Sequence, residues 1–152
     1  MSDTLLSTVK GTGGAQDMQV RYASSINGCP AIALFLSAYS ALIEANNTQP
    51  LLLTTNKSEV IYAIVNKTVV GVLMFVVYAD TYKTVLVQFV HVTPDHRGAR
   101  IFQHMFTALE QRVKAFGCKK ITGNIHIKNK DMLTAMTRIG AFATFYKVEK
   151  NL

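Results

Sequence analysis

Three β-branched and aromatic runs, Val60–Val65, Val69–Ala79 and Thr84–Val92, follow one another with almost nothing between them. Asn66-Lys67 separates the first pair and Asp80–Lys83 the second. Gaps this short force neighbouring strands to pair antiparallel, because a parallel return needs a crossover of roughly a dozen residues or more. A three-stranded meander is therefore the core of whatever this chain folds into.

The flanks have a different period. Pro30 to Ala45 sets Ile32, Leu36, Tyr39 and Ile43 at three- and four-residue steps, which predicts a helix with Pro30 in its first turn. Arg97 to Phe116 carries Ile101, Met105, Leu109 and Val113 at every fourth position, and Gly117 stands where such helices stop. Gln19–Ser24 alternates weakly as an opening strand. Lys119–Ile127 is expected to be a strand, Asp131–Ile139 a helix ended by Gly140, and Phe142–Val148 a last strand. Asn46 to Ser58, polar and holding Pro50, is expected to be a loop or a short second helix. The expected fold is α/β (α+β): a mixed, mostly antiparallel sheet of about six strands, with helices on both faces. Its parallel pair should be the strand ending at Val92 and the strand after the long helix.

Composition fits one domain over residues 1–152, with residues 1–16 a flexible leader that is Gly-rich over Lys10–Gln16. A chain that is 49% hydrophobic and 16% charged can bury one core. Val69–Ala79 falls short of the roughly 20 apolar residues that span a bilayer. Met1–Gln16 lacks the basic patch and apolar block of a secretory signal. Cys29 and Cys118 have no metal-ligand spacing, so no metal site is expected and a cytoplasmic location is. The net charge of +7 is lopsided: residues 1–81 hold four basic and five acidic residues, residues 82–152 twelve and four. A basic half attracts phosphate, in nucleic acid or in a nucleotide-like ligand, or simply keeps the protein in solution. No zinc finger, RNA-binding aromatic signature or recognition helix accompanies the lysines, so nucleic acid ranks last.

Val87 to Phe142 carries the most specific pattern. The strand ends Val92-Thr93-Pro94, and Asp95-His96-Arg97-Gly98-Ala99 leads into the long helix. Gly117, the strand from Ile121, Asn129 and Gly140 follow in order. This set resembles the GNAT superfamily of acyl-CoA-dependent N-acetyltransferases. A turn feeding a helix N-terminus leaves backbone N–H groups unpaired beside a positive partial charge, which suits a pyrophosphate. The resemblance implies a cofactor site for acetyl-CoA made by His91, Val92, Thr93, Arg97, Gly98, Ala99, Arg100, Ile101 and Asn129. The backbone of His91–Thr93 would pair with the pantetheine arm, and Asn129 would contact the same arm. The implied reaction moves an acetyl group to an amine acceptor, a small molecule or a protein, with an oxyanion held by backbone N–H near Val92.

Four positions depart from the family pattern. Arg100 and Phe102 stand where two glycines are usual, Gln88 where a glutamate base is common, and Met136 where a tyrosine often serves as acid. His126, with a near-neutral ordinary pKa, is then the candidate base, and Tyr146 the candidate acid. Each has a plainer reading, as an exposed or structural histidine and as a core tyrosine. Arg100 could bind phosphate itself or, with Phe102, obstruct it. His91 should face away from Gln88 by alternation. The alternative is a GNAT-like protein that has lost catalysis and works as a binding or structural component, even of a larger assembly such as a virus particle. A homodimer is compatible with either.

Overall fold

The computed structural model describes residues 3–14, 16–45, 58–79, 81, 83–98, 100–125 and 128–144. Among these, six strands form one sheet in sequential order: β1 (Asp3–Val9), β2 (Met18–Ala23), β3 (Glu59–Val65), β4 (Thr68–Val77), β5 (Thr84–Val92) and β6 (Lys120–Gly123). Neighbours are antiparallel except β5 and β6, which are parallel. The expected mixed sheet and its parallel pair are both present. The β3–β4 turn is made by Asn66 and Lys67, both at positive φ (48° and 61°). That geometry matches the right-handed twist of the strands it joins.

Helices cover both faces. On one, α2 (Ile101–Ala115) buries Ile101, Met105, Leu109 and Val113 against Val20, Ile61, Leu73, Phe75 and Val85. Met136 and Ile139, from and just after α3 (Lys130–Arg138), pack partly buried against the same cluster. On the other face, α1 (Ile32–Glu44) buries Phe35 and Ala38 against Val60, Tyr62, Val72, Met74 and Phe89. The Phe35 and Phe89 rings meet edge to face at 5.0 Å, a preferred aromatic geometry. Among the described residues no helix is long and apolar enough to cross a membrane.

Four expectations need correction. The supposed leader contains β1, paired with β2 from Asp3↔Ala23 to Val9↔Met18. Its sequence signal is faint because most of β1 is exposed; only Leu6 and Val9 pack on the core. Polar groups hold it instead: Asp3 accepts hydrogen bonds from the Tyr62 hydroxyl (2.6 Å) and Arg21 Nε (3.1 Å). The long helix starts at Ile101 rather than Arg97, because Gly98 and Arg100 both take positive φ. β6 ends at Gly123, four residues before the expected Ile127. Phe142–Thr144 lie in no strand, and the rest of that expected strand falls outside the described residues, as does most of Asn46–Ser58.

Candidate functional site

β5 outlasts its neighbour. Pairing with β6 runs from Thr84↔Lys120 to Val87↔Gly123 and stops, whereas β5 continues to Val92. A β-bulge marks the point of departure: Val87 faces Phe75 and Phe89 faces Met74, so Gln88 has no cross-strand partner. A bulge bends its strand and increases the local twist, which swings the end of β5 away from β6. It also resets which side chains face which way. Val85, Val87, Val90 and Val92 all pack on the α2 side, while Phe89 turns to α1. The alternation that would have set His91 opposite Gln88 is broken between them, and the His91 ring stacks on Phe89 at 6.5 Å.

Among the described residues nothing pairs with β5 on this side beyond Val87, so one strand edge is open. Thr93 N–H donates to the Val70 carbonyl at 2.9 Å. Antiparallel alternation then points the main-chain groups of His91 at β4 and those of Val92 and Val90 away from it. Within His91–Thr93, Thr93 N–H is already used within the sheet, and Val92 is the residue turned outward. The Val92 carbonyl accepts from Arg97 Nε at 3.1 Å, which ties the next turn to this edge.

That turn opens onto α2. Pro94–His96 form a single 3-10 turn, buttressed by Thr93 Oγ1 against His96 Nδ1 at 3.0 Å. Gly98 follows at φ +86°, with nothing within 4 Å of where a Cβ would sit. Its conformation, not crowding, asks for glycine. Arg100 precedes α2 in the left-handed region (φ 61°), with no side-chain cap and no acidic residue in the helix's first turn. His104 N–H takes the Arg100 carbonyl at 3.0 Å. The N–H groups of Ile101, Phe102 and Gln103 thus begin the helix without intrahelical partners, at the positive end of its dipole. Arg97, Gly98 and Arg100 are all exposed here. The arrangement fits a phosphate-bearing ligand.

Phe102 takes no part in it. Its ring packs against the α2-side core and lies 4.8 Å from that of Phe106, one helical turn on. Ile101 is buried against Gly71 of β4, where a Cβ would come within 3.0 Å of Ile101 Cγ2 and Met105 Cε. That close approach seats the start of α2 over the end of the meander. Asn129 caps α3, its side-chain oxygen accepting from Met132 N–H at 3.3 Å. Ala99, His126 and Tyr146 fall outside the described residues.

Two side chains near the bulge matter: Ser58, which the sequence did not single out, and His91, which it did. Ser58 is fully buried and donates from its hydroxyl to Gln88 Oε1 at 2.7 Å; it ends a polar stretch, and no sequence signal marks it. His91 is half-buried, and burial first, then the Arg97 charge, pushes its pKa below the ordinary imidazole value. A histidine depressed in the folded state binds protons more readily once unfolded. Its contribution to stability is thus present above about pH 6.5 and is lost as pH falls through the lower folded value. Denaturant midpoints measured at pH 7 and pH 5 should therefore differ less in His91→Gln than in the parent chain.

Comparison with known proteins places this geometry. Residues 29–140 match the model of the acetyltransferase (GNAT) family. No curated protein sequence matches the chain. Among solved structures, a ribosomal-protein-alanine N-acetyltransferase from Brucella melitensis biovar Abortus 2308 superposes with a TM-score of 0.69 at 18% identity, covering 89% of this chain and 99% of its own. An aminoglycoside acetyltransferase from an uncultured soil metagenomic sample, in complex with sisomicin, gives 0.68 at 16% identity over 89% and 95%. An aminoglycoside N-acetyltransferase in complex with CoA gives 0.66 at 14% identity over 94% and 99%. By the match over residues 29–140, the chain belongs to the acetyltransferase (GNAT) family.

Proposed function

We propose that the chain transfers an acetyl group from acetyl-CoA to an amine, at the gap where β5 leaves β6. The observation that carries this is the uncapped start of α2 beside the exposed Arg97, Gly98 and Arg100, at the end of a strand edge that no described residue pairs. In this reading the first-turn N–H groups of α2 and the two guanidinium groups hold the pyrophosphate. Val92 pairs with the pantetheine arm as an added strand would. Asn129, whose oxygen caps α3, keeps its amide N–H groups for the same arm.

Acetyl-CoA supplies an activated thioester carbonyl. The amine nitrogen attacks that carbon, a C–N bond forms and the C–S bond breaks, and the departing thiolate takes a proton from Tyr146 or solvent. The surplus proton on nitrogen passes to His126 or to water. Backbone N–H near Val92 stabilises the negative charge that gathers on the carbonyl oxygen. A cytoplasmic location belongs to the same proposal.

The inactive alternative leaned on Arg100, Phe102, Gln88 and Met136, and the family and structural matches lend it no support. Phe102 and Met136 pack against the core instead. Calorimetric titration with acetyl-CoA is the test: binding tighter than about 1 mM is expected, and no heat at millimolar concentrations would sink the acyltransferase reading.

A further inference from the structure

We infer that two copies of the chain pair through α1, with the two helices antiparallel about a two-fold axis. The starting point is a helix that is apolar nearly all round. Between Arg21 and Lys57 the single charged side chain is Glu44. α1 buries Phe35 and Ala38 against the sheet. Its opposite side, Ala33, Leu36, Ser37, Ser40, Ala41 and Ile43, is exposed and uncharged. Leu36 is 53% and Ile43 41% exposed. α2 and α3 are built differently, and expose Gln103, Gln111, Lys114, Asp131 and Arg138. A surface helix normally turns a polar side to water; one that lacks it calls for a second cover.

Charge selects the cover and its direction. The chain carries +7, so two copies repel wherever basic groups face each other, and α1 has none. A lipid surface fits less well, because helices that lie on membranes carry lysine or arginine along their polar side. Glu44 ends α1, where the helix dipole is negative and an acid is unfavourable, and none of the described ion pairs includes it. The other end of α1 has the matching lack: no acidic residue in the first turn and no side-chain cap at Ala31. An antiparallel second copy sets each Glu44 near the other's uncapped first turn. A parallel one would bring the two carboxylates together.

The sizes of the side chains agree with this. Ala33, Ser37 and Ser40 run down the middle of the exposed side, and small residues at a contact let helix axes come close. Leu36 and Ile43, seven residues apart, stand on one flank of that row. A two-fold axis perpendicular to both helices keeps this flank on the same side in each copy. Leu36 then packs on the partner's Ile43 and Ile43 on the partner's Leu36, with Ser40 close to the axis. Thirteen residues give a contact only about 20 Å long, so the dimer is weak, with a dissociation constant in the micromolar range. α2 covers the other face of the sheet, so the inference does not depend on the acyltransferase reading.

Sedimentation equilibrium on the full chain, at concentrations up to about 0.3 mM, should show monomer and dimer in exchange. Leu36→Lys should weaken the dimer at least about tenfold, through lost apolar contact and added like charges. Glu44→Gln should weaken it about two- to fivefold, and salt should shrink that difference. Cysteine pairs read the orientation. Cys29 and Cys118 are buried, so mild oxidation of the parent chain should give no disulfide-linked dimer, whereas Ser40→Cys should give one readily. Ala33→Cys should not, because the antiparallel pair holds its two copies about 20 Å apart. Linkage in Ala33→Cys as fast as in Ser40→Cys overturns the antiparallel arrangement. A chain that stays monomeric at the highest concentration and unlinked in Ser40→Cys overturns the inference, and so does a dimer that Leu36→Lys leaves intact. If a monomeric chain binds vesicles of anionic lipid and Leu36→Lys abolishes that binding, α1 is a membrane contact and the second copy is wrong. Should Leu36→Lys fail to fold, the two cysteine variants decide alone.

Discussion

Replacing Arg97 and Arg100 together with alanine is expected to raise the dissociation constant for acetyl-CoA at least about 150-fold. Each guanidinium would lose a charge-assisted contact worth about 1.5 kcal/mol or more, and two such losses multiply to that factor. Both residues are exposed, so the folded state should hardly register the change: exposed substitutions usually fall within about 0.5 kcal/mol. The pair must be distinguished from an obstruction. Arg100→Gly alone does this, because the two hypotheses predict opposite signs. Arg100 adopts φ 61°, a conformation costing a non-glycine residue roughly 1–2 kcal/mol, so glycine should stabilise the protein slightly while weakening acetyl-CoA. Tighter binding in Arg100→Gly would mean that the arginine had blocked the turn. Calorimetry at two salt concentrations completes the measurement, since phosphate contacts at an exposed site should weaken as the Debye length shortens.

How far the fold was legible follows from where each signal lives. The meander was plain because β3, β4 and β5 are long, rich in β-branched residues and joined by short turns. β4 is buried on both faces from Val70 to Val76, and its unbroken apolar run is the expected signature. β1 was invisible for the opposite reason: an edge strand with most of its side chains in water carries little hydrophobic pattern, and what anchors it is a carboxylate meeting a tyrosine from a distant strand. The helix start was misplaced by four residues because the apolar stripe, which begins only at Ile101, does not fix the first turn, and the positive φ of Gly98 and Arg100 leaves no hydrophobic trace. At the site, Arg97, Gly98 and Arg100 were readable from the turn motif. The bulge at Gln88 was not, since it arises from the register between two strands rather than from either strand alone. Ser58 was hidden for the same kind of reason: its importance is its partner, thirty residues away.

Gly71 joins fold and site most directly, and Gly71→Val should damage both. The residue lies on β4 opposite Val92, the strand end that faces outward, and beneath the first turn of α2. Its φ is ordinary, so the glycine is there for room: a Cβ would stand 3.0 Å from Ile101 Cγ2 and Met105 Cε. Both atoms belong to fully packed residues, Ile101 at 2% and Met105 at 0% exposure, which cannot swing out into water. A small shift of the flexible Met105 tip absorbs a single methyl, which makes Gly71→Ala the mild case. A branched side chain has to lift the helix, and overpacking of this kind costs about 1–3 kcal/mol. The lift acts where α2 presents its free N–H groups, so the turn proposed to hold phosphate moves relative to the Val92 edge. The expected result in Gly71→Val is a lower denaturation midpoint together with weaker acetyl-CoA binding, measured well below that midpoint so that only folded protein is titrated. Loss of stability with full affinity would show that the turn is positioned by Arg97 on the Val92 carbonyl and not by the seat that Gly71 provides.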